Sequence, residues 1–178
     1  MRRYEISCRI LGIALVLFTL APAARAAVSE KDVLVIGRVV ALLSDAPKGT
    51  VPITIVQGGD ATRADTSDIT AIIGSGKTIG AITFVANPMR YDQIENSPAR
   101  ILYIPDGMTP AELDRVFAVA VVHRLVTIST SDACLVAQRC AISVSSEPAV
   151  DIRLSVAASA ATNVAFGSNF RMIVKEVR

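Results

Sequence analysis

The sequence predicts an α/β fold: a mostly parallel sheet flanked by helices, with a C-terminal antiparallel hairpin and a terminal helix. Three observations predict it. Short β-branched runs alternate with amphipathic stretches four times between Ser29 and Ser129, the pattern of parallel strands joined by helical crossovers. After Ala141, two alternating runs face each other across Glu147-Pro148, as in a hairpin. Of all residues, 52% are hydrophobic and only 4% aromatic. Ala, Val and Ile must therefore fill the interior, which suits the buried strands of a layered sheet.

The first 26 residues stand apart from that pattern. Arg2 and Arg3 make a basic start, "ILGIALVLFTLA" (Ile10 to Ala21) is an apolar run, and Ala24-Arg25-Ala26 puts small residues at a cleavage site. This is the three-part pattern of a secretory leader; an uncleaved anchor would need a longer apolar run. The expected organisation is a signal peptide over 1–26 and a single α/β domain over 27–178, in a periplasmic location. Removing the leader takes four of the 18 basic residues and one of the 16 acidic ones. That leaves 14 basic and 15 acidic residues, a net charge of −1, with no basic cluster. Nucleic-acid binding then lacks its electrostatic basis. Of three cysteines, Cys134 and Cys140 remain. An oxidising compartment favours their pairing as a local disulfide; two buried free thiols are the alternative. Their spacing is not that of a zinc site.

The elements follow in order. Ser29 with Asp32 three residues on reads as a helix start, and Val33, Ile36, Val40 and Leu43 continue at helical spacing to about 44. "VPITIV" (Val51 to Val56) is a buried strand. Ile69, Ile72 and Ile73 mark a short helix that Gly74 and Gly76 stop. "TIGAITFVA" (Thr78 to Ala86) and "RILYI" (Arg100 to Ile104) are strands separated by a loop. Thr109, Pro110 and Glu112 form a capping box with proline in the first helical position, and Leu113, Val116, Phe117, Ala120 and Val121 form one stripe. "LVTIS" (Leu125 to Ser129) is the fourth strand. Beyond the cysteine loop come the hairpin (141–146 and 149–157), an Ala-rich piece near 157–165, and a terminal helix from Ser168 or Asn169.

Motifs that would carry chemistry are weak. "IIGSGKT" (Ile72 to Thr78) ends like a phosphate-binding loop, G-x-x-x-x-G-K-[ST]. Ala71 stands where that loop needs glycine, and a helix precedes it where a strand should. It reads instead as a helix stop, with Lys77 near the negative end of the dipole. His123, the lone histidine, sits at a helix C-terminus beside Arg124, and no serine lies in a G-x-S-x-G elbow. Asp60, Asp65 and Asp68 cluster without the spacing of a calcium loop and read as caps and solvated loop. The expectation is a non-enzyme without cofactor or metal.

The mature chain resembles the YfiR-like, or HmsC-like, periplasmic regulators over nearly its whole length. Four stretches carry the resemblance: the leader with the first helix and "VPITIV", "ARILYIPDGMTPAELDRVF", "RLVTISTSDACLVAQRCAISV", and "DIRLSVAASAATNVAFGSNFRMIVKEV". The family's Trp-Pro after the first helix is replaced here by Asp45-Ala46-Pro47, and Trp is absent. The resemblance implies a non-enzymatic regulator that holds the periplasmic domain of a membrane diguanylate cyclase or related sensor inactive, restraining cyclic di-GMP signalling and biofilm formation. It also implies a cysteine pair at Cys134 and Cys140. Partner binding calls for exposed apolar side chains; the candidates are Tyr91, Phe166, Phe170 and Met172, with a second copy of the chain as a further candidate partner. The alternative is a small-ligand-binding module resembling one lobe of a solute-binding protein.

Overall fold

The computed structural model describes residues 28–178, so the leader expected over 1–26 lies outside the described residues. The chain runs α1 (Glu30–Val40), β1 (Gly49–Gln57), a 3₁₀ turn (Asp60–Thr62), α2 (Arg63–Ile73), β2 (Lys77–Ile79), β3 (Ile82–Arg90), a second 3₁₀ turn (Ile94–Asn96) and β4 (Ile101–Tyr103). Then come α3 (Pro110–His123), β5 (Val126–Ser129), α4 (Asp132–Val136), β6 (Ile142–Ser145), β7 (Asp151–Ser155), α5 (Val156–Ala161), α6 (Ser168–Arg171) and β8 (Lys175–Val177).

The described strands form one sheet in the order β2-β3-β1-β4-β5-β6-β7-β8. Its five central strands, β3-β1-β4-β5-β6, are parallel. Counted among themselves they run 2-1-3-4-5, the doubly wound order of flavodoxin-like sheets. The chain moves one way from β1 to β3 and the other way from β4 onward, so α2 and α3 lie on opposite faces. Ile69 and Ile73 of α2 pack with α1 over Ile53, Ile55, Phe84 and Tyr103. Leu113, Val116 and Ala120 of α3 pack over Val56, Leu102 and Ile104. Period-two alternation along β4 serves both layers: Ile101 and Tyr103 face one, Leu102 the other.

Local chemistry sets the ends of the helices. Ser29 and Asp32 form a full capping box on α1; Thr109 and Glu112 form another on α3, with Pro110 at the start. The hairpin predicted across Glu147-Pro148 is β6–β7, antiparallel from Ile142↔Leu154 to Ser145↔Asp151.

Two expectations need correction. The run Thr78 to Ala86 is not one strand. Gly80 takes a positive φ of 61°, a turn glycine adopts without steric cost, and the run splits into the antiparallel pair β2–β3. The terminal helix is a single turn, Ser168–Arg171, entered from Gly167 rather than from a Ser168 or Asn169 cap. The chain then extends as β8 parallel to β7, along the edge that β7 offers.

Candidate functional site

In an open parallel sheet, ligands bind outside the carboxyl ends of the strands where the strand order reverses. Here that point lies between β1 and β4. Next to it, over the carboxyl ends of β1 and β3 and against α2, opens a cleft of about 1000 Å³, at the upper end of the range of small-molecule sites. One wall is the exposed face of α2, with Arg63, Ser67 and Thr70; the others come from Gln57 to Asp60, from Arg90 and Tyr91, and from Glu112.

The glycine pair after β1 shapes this cleft. Gly58 N–H donates to Thr62 Oγ1 at 3.1 Å, and Gly59 N–H donates to Glu112 Oε1 at 3.0 Å. The second oxygen of Glu112 accepts Thr109 N–H at 2.8 Å and the Thr109 hydroxyl at 2.9 Å. One carboxylate therefore caps α3 and ties the β1 turn to it. Arg63 pairs with Asp60, and Arg90 grips Asp92 through two hydrogen bonds of 3.1 Å. Arg115 lies 6.0 Å from the Tyr91 ring centre.

Beside the cleft runs a buried polar network. Tyr103, at the end of β4, is fully buried. Its hydroxyl lies 3.1 and 3.0 Å from the two Asp65 oxygens and 2.7 Å from Thr130 Oγ1. Asp65 also accepts Asp106 N–H at 2.7 Å, and Asp106 accepts the Ser131 hydroxyl at 3.0 Å. Burial pushes the Asp65 carboxyl above its ordinary value, against the pull of the Asp106 N–H and the Tyr103 phenol. Burial, then the neighbouring Asp65 charge, pushes Tyr103 well above the ordinary phenol value. At neutral pH the phenol is a donor that does not ionise. Asp65 looked like a cap or loop acid in the sequence; it acts instead as the acceptor that pins α2 to the sheet.

The other sequence candidates scatter. Tyr91 stands on the cleft wall. Phe170 is completely buried and so is corrected from surface residue to core. It stacks on Phe166 with ring centres 4.2 Å apart within the core layer that α1 covers. Phe166 is half-buried, held by a bridge to Leu43 and by Gly167 N–H donating to Leu42 O at 3.0 Å. Met172 is open, 77% exposed, beside Ile173 at 59%. Cys134 and Cys140 are joined as a disulfide with Cα atoms 5.4 Å apart, closing the loop that follows α4. His123 is exposed at the far end of α3. "IIGSGKT" is a helix stop, with Gly74 at φ 54° as the cap of α2. Lys77 pairs with Glu30 of α1 rather than with the helix end. Among the described residues, no group of His, Cys, Asp and Glu is arranged to hold a metal ion, and no helix is long and apolar enough to cross a membrane.

No family model and no curated protein matches the chain. Among solved structures, it is similar to the crystal structure of a conserved domain protein from Vibrio cholerae O1 biovar eltor, with a TM-score of 0.56 and 8% identity. The match covers 84% of this chain but 60% of that one, so this chain spans less than two thirds of that structure's length. At such identity the likeness is one of fold.

Proposed function

We propose that this chain is an exported, non-enzymatic regulator that docks on the periplasmic part of an inner-membrane signalling protein and represses it, a diguanylate cyclase being the partner the sequence resemblance implies. The observation that carries the reading is the neighbouring pair Met172 and Ile173, 77% and 59% exposed between α6 and β8. Large apolar side chains left open side by side are a docking feature more than a packing one. The buried network of Tyr103, Asp65 and Thr130 is occupied with holding the fold, which fits a binding role.

Co-expression with a membrane diguanylate cyclase, followed by measurement of cyclic di-GMP, tests the proposal. The wild-type chain lowers cyclic di-GMP and co-purifies with the cyclase; Met172→Glu with Ile173→Glu relieves both effects while the fold persists. Unchanged cyclic di-GMP with no co-purification would sink it.

A second reading, a small-ligand-binding module, is favoured by the cleft over the carboxyl ends of β1 and β3, beside the strand-order reversal. A saturable rise in melting temperature with a small molecule and no protein partner supports it.

A further inference from the structure

The chemistry of the cleft narrows what it can hold. Helix N-termini after a glycine turn commonly receive phosphate, because unpaired N–H groups point at the ligand. Here both glycine N–H groups are taken: Gly58 by the Thr62 hydroxyl and Gly59 by the Glu112 carboxylate. Glu112 thus stands where an incoming anion would seek a donor, and its charge repels one.

The remaining charges on the wall balance. Arg63 and Arg90 are offset by Asp60 and Glu112, all four lining the same cleft. Each guanidinium also has a carboxylate already on it, Asp60 or Asp92. A phosphate or carboxylate ligand would have to displace these partners and still face two acids. What the wall offers freely is neutral: the Gln57 amide, the Ser67 hydroxyl, and the outer lone pairs and N–H groups of the paired charges. Tyr91 and Pro88 add apolar surface on the opposite side.

We infer that this cleft binds a neutral polyhydroxylated ligand, a saccharide, and discriminates against phosphate and carboxylate ligands. The hydroxyls of a sugar can both donate to and accept from these exposed ion pairs, and its C–H face can rest on the Tyr91 ring. The inference rests on the small-ligand reading of the cleft and narrows it to one class.

Titration of the purified protein by calorimetry and by backbone amide NMR tests it, using a panel of neutral mono- and disaccharides beside inorganic phosphate, glucose 6-phosphate and citrate. The expected result is saturable binding of at least one neutral sugar, with shifts at Gln57 to Asp60 and at Tyr91, and none with the anions. Tyr91→Ala should weaken sugar binding about tenfold, the loss of roughly one good aromatic contact. His123→Gln, about 16 Å along α3 from Glu112 at a 1.5 Å rise per residue, should leave it unchanged. Circular dichroism establishes that both variants fold. If an anion binds the cleft and no sugar does, the saccharide assignment is overturned while the ligand reading survives. If nothing binds, both fall; if sugar shifts map away from the cleft or ignore Tyr91→Ala, the assignment of the site is wrong.

Discussion

The Tyr103 hydroxyl sits between the two oxygens of Asp65, 3.1 Å from one and 3.0 Å from the other. It has one proton to give, so when it donates to Asp65 the nearby Thr130 hydroxyl, at 2.7 Å, donates back to the phenol oxygen. Both ends of the bond have a pKa raised by burial, which makes the fold's stability depend on pH at both extremes.

At the alkaline end, Tyr103 stays protonated in the fold above pH 10.0, the ordinary phenol value, while the unfolded chain loses that proton. Its contribution is complete below that value and is lost as pH rises toward the folded pKa. Urea unfolding from pH 8 to 11 should show wild type losing stability more steeply than Tyr103→Phe above about pH 10. Parallel curves would remove Tyr103 as the cause. Near neutrality the variant should cost about 1–3 kcal/mol, the loss of a buried bond to a carboxylate.

The acid side has the same sign. A raised carboxyl pKa means the protonated form suits the fold better, so this contribution is complete below pH 3.8 and fades as pH rises through the folded value. Wild-type stability minus that of Asp65→Asn should therefore fall as pH rises out of the acid range. A difference that grew with pH would contradict the burial argument.

Asp32 joins the start of α1 to the end of β6. It accepts Ser29 N–H at 2.9 Å within the α1 cap and Ser146 N–H at 2.9 Å beyond β6. Asp32→Ala removes the returning half of the capping box, leaving the Ser29 hydroxyl on the Asp32 N–H, and strands the buried Ser146 N–H, at a cost of about 1–3 kcal/mol. Denaturant midpoints measure it, and a change near zero would mean that water replaces the carboxylate.

Gly107 follows β4 with φ at 85°, and a Cβ there would lie 2.7 Å from the Ala61 carbonyl oxygen. Gly107→Ala combines backbone strain with a clash against backbone that cannot swing away, worth about 1–3 kcal/mol. Its amide shifts should concentrate in the turn Asp60–Thr62. Uniform shifts, or none, would show the turn to be more yielding than this contact implies.

The disulfide closes a short loop, so Cys134→Ser with Cys140→Ser should cost less than the ~3 kcal/mol of a 15-residue loop. Thermal melts with and without reductant should separate for wild type and coincide for the double variant.

Much of this architecture was legible because local signals agreed with one another. The Ser29–Asp32 and Thr109–Glu112 boxes fall where hydrophobic periodicity begins, and both form. The paired strands around Glu147-Pro148 alternate as a hairpin must. What escaped was either non-local or too short to show a period. β8 is three residues long and exists because β7 offers it an edge. The role of Asp65 depends on Tyr103, 38 residues away, so no local window contains it. Phe170 was misplaced for the same reason: its neighbour Met172 is exposed, and the core that buries its ring is built from α1 and the sheet, far away in sequence. The cleft was visible only as a rule about loops beyond strand ends; finding it required the strand order.

The bond from Ser146 to Asp32 spans 114 positions, and this bears on timing. A process that handles the chain from its N-terminus, whether synthesis or translocation, presents α1 long before β6. Until β6 arrives, the cap can form and α1 can pack over β1 and β3, but the link to Ser146 cannot, and contacts of such separation are slow to close. That link therefore closes only after Ser146, and with it most of the chain's length, has been delivered.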